Sequence, residues 1–254
     1  MKPLTPFLVL CLVARMSAEI IEADVVVYGG SAADVSGACT ASRRGKKAVV
    51  AEFGLHICGL TSGGFGWTDI GNKAAIGGFS RDFYQRLGKH YGKLEPWFFE
   101  PSVAERELRA LLDESKVPVK FNQRLASVKK NAARITEIMM ADGTTYRGKM
   151  FVDATYDGDL MAKAGVQYMF GREANARFHE TINGIRDKTP HHQFVAPVDP
   201  NIEPGDPRTG LLPFISAEPP GTPGAGDTSV QAYNFRLCLT KNPENRRPID
   251  PPPG

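Results

Sequence analysis

Two short apolar runs near the start of the chain flank a segment with helical spacing, and together they predict a βαβ unit. Ala23–Tyr28 is rich in β-branched residues, which is typical of a buried strand, and it leads directly into the turn Gly29–Ser31. Small residues then recur every four positions, which predicts a helix face that lies close to a sheet, at Ala33, Gly37 and Ala41. Lys47–Glu52 is a second buried strand. The crossover between two such strands should be right-handed and the strands parallel.

The middle of the chain predicts two helices followed by antiparallel strands. One helix is expected over 80–91, and another begins at Ser102, where Ser102 and Glu105 have the spacing of a capping box. After a short strand at 117–121, three apolar segments predict a β-meander, at 125–129, 134–140 and 144–152. Asp142-Gly143 is a hairpin signal between the last two. The fold class is therefore α/β, a Rossmann-like βαβ sheet with an antiparallel meander.

Prolines divide the chain into a regular part and a loop-rich part. Of the 19 prolines, 14 lie between Pro190 and the C-terminus. Proline removes a backbone donor and is excluded from the interior of regular elements. We therefore predict a first domain over residues 24–164 and a second, Pro-rich one over 165–254, with one strand at Ser229–Thr240. We interpret the second domain as the incomplete start of a substrate domain.

Composition excludes several classes of protein. The 254 residues carry 31 basic and 28 acidic side chains, a net charge of +3, and no long basic run, so we expect no nucleic-acid partner. No apolar run reaches the length of a membrane span. Lys2 and the apolar stretch to Ala14 resemble a signal peptide over residues 1–18, which predicts a secreted or periplasmic protein; the alternative is a frayed apolar arm. The cysteines form no CxxC pair and we expect no metal site.

The glycine turn after the first strand predicts dinucleotide binding. Glycines there let backbone amides approach a pyrophosphate, and the dipole of the following helix favours negative charge. Glu52 ends the second strand, where a carboxylate accepts hydrogen bonds from the ribose hydroxyls of an adenosine. Asp34 occupies the place of the third glycine of the usual motif. If its carboxylate faces the phosphates, repulsion weakens binding; if it faces solvent, binding is unaffected.

Further motifs resemble the secreted bacterial FAD-dependent oxidoreductases of the glutathione-reductase-like flavoprotein fold, whose members are often labelled xanthan lyases. The resemblance covers nearly everything after residue 23. It is carried by the first strand and glycine turn, by the second strand and by four further blocks: 59–64, 66–69, 151–160 and 171–176. The most specific pair is Gly59-Leu60-Thr61-Ser62-Gly63-Gly64 with Asp153-Ala154-Thr155-Tyr156-Asp157-Gly158-Asp159.

The resemblance implies FAD as cofactor and gives roles to individual residues. The residues implied to hold the pyrophosphate are Gly29, Gly30 and Ser31. The residue implied to hold the adenosine ribose is Glu52. The loop implied to follow the ribityl and phosphate side consists of Gly59, Leu60, Thr61 and Ser62. Those implied to offer backbone to the adenine are Leu125 and Ala126. Those implied to close the flavin domain are Ala154, Thr155, Asp157 and Asp159.

The implied function is oxidation of a small molecule or sugar by hydride transfer to the flavin. The motifs identify no catalytic residue and no oligomeric state. Cys58 stands where the family has a second glycine, and family members are roughly twice as long, so we expect an N-terminal part of such an enzyme. Two alternatives stay open: a non-catalytic remnant that no longer binds FAD tightly, and a polysaccharide lyase, which rests on the family label alone.

Overall fold

The computed structural model describes residues 19–64, 66–190, 193–231 and 237–248. The predicted signal peptide, residues 1–18, and His191-His192 lie outside this range. The chain divides into two compact units: the first extends to Gln167 and includes the described residues from 237 onward, and the second begins at Tyr168. Within the described residues, no helix is long and apolar enough to cross a membrane.

The first unit is a six-stranded mixed sheet with three longer helices on one face and one short helix on the other. Its strands are β1 (Ile20–Tyr28), β2 (Ala48–Ala51), β3 (Val119–Lys120), β4 (Leu125–Asn131), β5 (Arg134–Met140) and β6 (Thr145–Asp153). Its helices are α1 (Ala32–Arg43), α2 (Gly78–Tyr91), α3 (Pro101–Glu114) and α4 (Asp159–Lys163). The strand order is β3-β2-β1-β6-β5-β4, with β3, β2, β1 and β6 parallel and β4, β5 and β6 an antiparallel meander. The predicted α/β fold is confirmed.

Side chains of β1 alternate between two apolar cores because successive residues of a strand point to opposite faces. Val27 belongs to the core beneath the helices, which also contains Leu108 and Leu111 of α3. Val26 belongs to the opposite core, where the meander contributes Ile138 and Tyr146. The central strand is therefore buried on both faces, and the backbone at its carboxyl end is held rigidly.

The face of α1 that packs on the sheet differs from the predicted one. Its buried residues are Asp34, Val35, Ala38 and Cys39, whereas Ala33 and Gly37 are exposed. Cys39 lies at the contact with α3, where its Sγ is 3.5 Å from the carbonyl oxygen of Leu111. Val35 and Cys39 have more apolar area to remove from water than Ala33 and Gly37, which explains why the buried face includes the first pair.

The start of α3 also corrects a prediction. The helix begins at Pro101 with Glu100 as its N-cap, so Ser102 is not the capping residue. Proline suits the first helical position, since the amide that it lacks would have no partner there. Glu105 is free of the capping role and instead pairs with Arg109 at 2.7 Å and His56 at 3.0 Å.

The second unit is mainly irregular. Its one α-helix among the described residues is α5 (Asn175–Phe178), and an isolated bridge joins Arg172 to Asp227. The strand predicted at Ser229–Thr240 is wrong for its described residues, 229–231 and 237–240, which have no strand structure. An apolar alternation produces a strand only where a neighbouring strand accepts its hydrogen bonds, and no described residue pairs with these.

Candidate functional site

Three loops meet at the carboxyl ends of β2, β1 and β6. These strands are neighbours and parallel, so the residues that follow them share one edge of the sheet. The Gly29 amide donates to the Ala51 carbonyl at 2.9 Å, and the Ala154 amide donates to the Tyr28 carbonyl at 3.2 Å. In open α/β sheets, ligands bind outside the carboxyl ends of the strands, which makes this edge the candidate site.

The turn after β1 has room only for glycines. Gly29 has a φ of +112°, and a Cβ added there would lie 3.1 Å from the backbone nitrogen of Thr155. A Cβ on Gly30 would lie 1.7 Å from Oε2 of Glu52. The turn ends at Ser31, the N-cap of α1. Gly29, Gly30 and Ser31 are thus in contact with the other two loops and at the positive end of a helix.

Glu52 follows β2 and is 4% exposed. Its Oε1 accepts the Gly54 amide at 2.5 Å, and burial raises the pKa of the carboxyl. The segment that leaves β3 runs beside it, since the Gln123 amide donates to the Glu52 carbonyl at 2.8 Å. The predicted ribose ligand therefore lies directly against the glycine turn.

Asp34 lies in the first turn of α1 and is 0% exposed, so the alternative in which it faces solvent is wrong. Its Oδ2 accepts the Ser31 amide at 2.6 Å. Its Oδ1 is buried and has no hydrogen-bond partner among the described residues. Burial, together with the nearby Glu52 and Asp153 carboxylates and against the opposing Ser31 hydrogen bond, raises the pKa of the carboxyl to about 8. Asp34 is thus mainly neutral at pH 7.

The loop that contains Gly59, Leu60, Thr61 and Ser62 closes over the glycine turn. Cys58 is fully buried in a left-handed conformation, with a φ of 76°, and its amide donates to the Gly30 carbonyl. Burial raises the pKa of the Cys58 thiol well above its usual range. The Ser62 hydroxyl donates to the Ile57 carbonyl, which fixes the end of this short helical turn. The loop therefore lies beside the glycine turn, and its role along the phosphate side stays a prediction.

Tyr156 joins this loop to the one after β6. Its hydroxyl accepts the Leu60 amide at 2.9 Å, and a Cβ on Gly59 would lie 2.5 Å from the same oxygen. The tyrosine was not among the predicted site residues, although it stands inside the block from Asp153 to Asp159 that carries the family resemblance. Its hydroxyl therefore links the two loops through a hydrogen bond to the Leu60 amide.

Asp153 organises the loop after β6 and was also missed. Its Oδ1 accepts the Thr155 amide and hydroxyl at 3.0 and 2.7 Å, and its Oδ2 accepts the Met161 amide at 2.7 Å. Thr155 Oγ1 then accepts the Gly158 amide at 2.9 Å. Ala154 and Thr155 lie beside Gly29, whereas Asp157 and Asp159 are exposed. The signal for Asp153 was its place at the carboxyl end of β6, next to the glycine turn's strand.

Leu125 and Ala126 begin β4. The Leu125 amide already donates to the Tyr28 hydroxyl at 3.0 Å, so it is not available to an adenine. Ala126 is exposed and coincides with a register shift in the β4–β5 ladder. The predicted backbone contact to adenine therefore depends on groups other than the Leu125 amide.

A cavity of about 300 Å³ opens beside the N-terminus of α1. It is mainly apolar, with hydroxyls at its rim, and its lining includes Ala33, Ser36, Thr61, Phe79, Tyr84 and Leu108. Its size is at the lower end for small-molecule sites. Among the described residues, no group of three or more His, Cys, Asp or Glu side chains is placed to hold a metal ion.

A family model described as FAD dependent oxidoreductase matches residues 24–254. The chain belongs to this family. The membership confirms the predicted identity of the cofactor, FAD, and the predicted class of oxidoreductases. No curated protein sequence matches the chain significantly.

Solved flavoenzyme structures resemble parts of the chain at low identity. L-proline dehydrogenase from P. horikoshii is 14% identical with a TM-score of 0.47, over 62% of this chain and 59% of that one. 3-Ketosteroid-Δ4-(5α)-dehydrogenase from Rhodococcus jostii RHA1 is 14% identical with a TM-score of 0.39, over 55% and 47%. Closed cyclohexanone monooxygenase is 17% identical with a TM-score of 0.41, over 54% and 26%. The chain thus matches about half the length of the first two.

The residues at the carboxyl edge fit FAD in three respects. The close turn at Gly29 and Gly30 brings backbone within reach of a pyrophosphate, the N-terminus of α1 supplies positive partial charge, and Glu52 supplies an acceptor for ribose hydroxyls. At the same place, the buried Oδ1 of Asp34 is a polar atom that lacks a hydrogen-bond partner within the described part of the chain. Asp34 itself is the residue that the family pattern does not explain.

Proposed function

We propose that the chain binds FAD at the carboxyl ends of β1, β2 and β6 and takes part in oxidation of a small molecule or sugar. The observation that carries the proposal is the glycine turn at the start of α1, packed against Glu52 on one side and Thr155 on the other. A chain of this family with that arrangement has the groups needed for a pyrophosphate and a ribose next to each other. When bound, the flavin accepts a hydride from the substrate.

The residues of this chain would bind and orient the cofactor. Gly30 would present its backbone amide, with Ser31 beside it at the N-terminus of α1. Glu52 would accept hydrogen bonds from the ribose, and the 59–62 loop would follow the phosphate side. Gly30, Ser31 and Glu52 are buried, which excludes water from their surroundings and so strengthens their hydrogen bonds. The catalytic groups toward the substrate are not assigned, because no described side chain is tied to a substrate position.

The cellular setting and extent of the enzyme are part of the same proposal. Export rests on the signal-like segment at residues 1–18, and the idea that the chain is an N-terminal part of a longer flavoprotein rests on the family resemblance. Lyase action on a polysaccharide is the weaker proposal, since it is supported by a family label alone.

A non-catalytic remnant is the second candidate, and two observations favour it. Asp34 already accepts the Ser31 amide that a phosphate would use, and Cys58 holds a left-handed conformation where the family has glycine. Both reduce the affinity expected for FAD. The two candidates differ in a simple measurement, the visible absorbance of the purified chain with and without added FAD.

Wild-type chain that carries flavin absorbance, or that quenches FAD fluorescence on titration, supports the proposed function. A matched pair of variants then tests the site. Gly30→Ala forces a methyl group against Glu52 and should weaken FAD binding at least tenfold, whereas Gly37→Ala adds a methyl where nothing lies within 4 Å and should leave affinity unchanged.

Circular dichroism verifies that both variants fold. If Gly30→Ala does not fold, Glu52→Gln replaces it, with Glu22→Gln at the opposite end of the sheet as its control. Equal FAD affinity in wild type and in the folded site variant would show that FAD, if it binds, binds elsewhere. No binding by any of the proteins would favour the remnant.

A further inference from the structure

The Asp34 carboxyl lies at the N-terminus of α1, where the proposed function puts the pyrophosphate. One oxygen, Oδ2, accepts the Ser31 amide at 2.6 Å, and the side chain is fully buried. The other oxygen, Oδ1, is buried without a hydrogen-bond partner in the described part of the chain. Unpartnered buried oxygens are rare in folded proteins, so this atom either carries a proton or awaits a ligand that supplies a partner.

The surroundings of Asp34 favour a neutral carboxyl. The charged groups that act on it are Glu52 at the end of β2 and Asp153 at the end of β6, both acidic. Tyr28 ends β1 beside them, and the Cys58 thiol interacts with Asp34 from the loop after β2. From α3, Glu105 and Arg109 act on that thiol. The phosphates of FAD would add further negative charge to this group of acids.

We propose that Asp34 is a cofactor-binding residue of this chain that keeps its proton while FAD is bound and donates it in a hydrogen bond to a phosphate oxygen. The inference rests on the proposed function. A protonated carboxyl has one O–H donor and keeps an acceptor, so Oδ2 continues to hold the Ser31 amide while Oδ1 serves the phosphate. Binding of FAD is then coupled to a proton.

The direction of this coupling follows from linkage. Burial raises the pKa of Asp34 to about 8, so the neutral form is present before FAD arrives at pH 6 to 7. Above that pKa the Asp34 carboxyl of the FAD-free chain is ionised, so it has to take up a proton when FAD binds. Affinity should therefore be flat between pH 6 and 7 and fall about fivefold between pH 8 and 9.

The test is calorimetric titration of the full chain with FAD between pH 6 and 9, in two buffers of different ionisation enthalpy. For wild type we expect proton uptake that rises toward one per FAD at pH 9. Asp34→Asn retains a donor and cannot titrate, so its affinity should not change over this range and should exceed that of wild type at pH 9. Asp113→Asn, on the exposed surface of α3, is the matched control and should behave as wild type.

Two results would overturn the inference. If wild type and Asp34→Asn show the same pH dependence and wild type takes up no proton, FAD binds without help from Asp34 and the proposed function stands. If neither of them, nor Asp34→Gly, binds FAD at any pH, the proposed function fails and the inference fails with it. The number of protons that the wild type takes up per FAD is measured without any variant. It therefore tests the inference even if a substitution prevents folding.

Discussion

The two units of this chain are stabilised in different ways. In the first unit, a sheet buried on both faces carries two apolar cores, and side chains such as Leu111, Ile138 and Tyr146 are fully buried. In the second unit, Ile185 is the one large apolar side chain among the described residues that is buried, while Phe194 is 83% and Phe214 106% exposed.

Backbone contacts replace side-chain packing in the second unit. Arg172 and Asp227 exchange two backbone hydrogen bonds and an ion pair, and Gly184 lies against Gly224 with no room for a Cβ. Hydrogen bonds near the surface contribute little net stability, because water offers the same bonds to the unfolded chain. The first unit therefore has enough buried apolar surface to hold a cofactor site in place. The second unit gains less free energy on folding.

Removal of apolar volume should separate the units most clearly. Leu111→Ala, fully buried in the first unit, should lower the free energy of unfolding by roughly 2–5 kcal/mol through lost burial and a cavity. Ile182→Ala, 68% exposed in the second unit, should change it by no more than about 0.5 kcal/mol. Urea unfolding followed by far-ultraviolet circular dichroism measures both. Equal losses would mean that the second unit has a core after all.

The buried acid makes the stability of the first unit depend on pH. Asp34 has a pKa of about 8 in the folded chain and an ordinary, lower one when unfolded, so the folded state holds the extra proton between them. The contribution of the neutral carboxyl to the free energy of unfolding is fully present at low pH. It decreases as the pH rises from the unfolded pKa toward about 8, the folded value. The expected loss between pH 5 and 8.5 is on the order of a few kcal/mol.

Asp34→Asn should remove this slope, and the difference between the two unfolding free energies across that pH range measures it. Asp113→Asn is again the control, because that side chain is exposed. A wild type whose stability falls no more steeply with pH than that of Asp34→Asn would show that Asp34 is ionised in the folded chain.

The smallest effect is expected at the ion pair of the second unit. The Arg172 guanidinium holds the pKa of the Asp227 carboxyl well below its usual range. Both side chains are partly exposed, so Asp227→Asn should reduce stability only slightly, and only locally. Hydrogen exchange at residues 171–173 and 226–228 should rise while exchange in β1 and β6 stays unchanged. Faster exchange in β1 would mean that the two units unfold together.

The sequence predicted most of the first unit because its signals are local. β-Branched runs, glycine at the end of β1 and Asp142-Gly143 in the hairpin each specify a short stretch of backbone, and the structure follows them. The orientation of α1 could not be predicted in this way, because Val35 and Cys39 are buried by contacts with α3, which lies far along the chain. The strand expected after Ser229 has an apolar pattern but no neighbouring strand.

The sequence predicted which loops form the site, but it did not predict the hydrogen bonds that individual side chains make there. Gly29, Gly30 and Glu52 lie together because a βαβ unit places them so. The sequence allows Asp34 to face either the phosphates or solvent, and the structure buries it with Oδ2 on the Ser31 amide, since a carboxyl three residues into a helix reaches the N-cap amide. Tyr156 and Asp153 act through hydrogen bonds to backbone, which no spacing rule reveals.

The pairing of β1 with β6 constrains how this protein can acquire its fold during synthesis. Asp24 and Lys149, at matching positions of the two strands, are 125 residues apart in the sequence. Contacts between residues so far apart form slowly, because a long loop must close first. A ribosome has to release the whole segment up to β6 before the central strand is covered on both sides. Until then the Val25–Val27 edge is open to strand pairing with other chains, so we expect slower translation of residues 29–144 to increase aggregation.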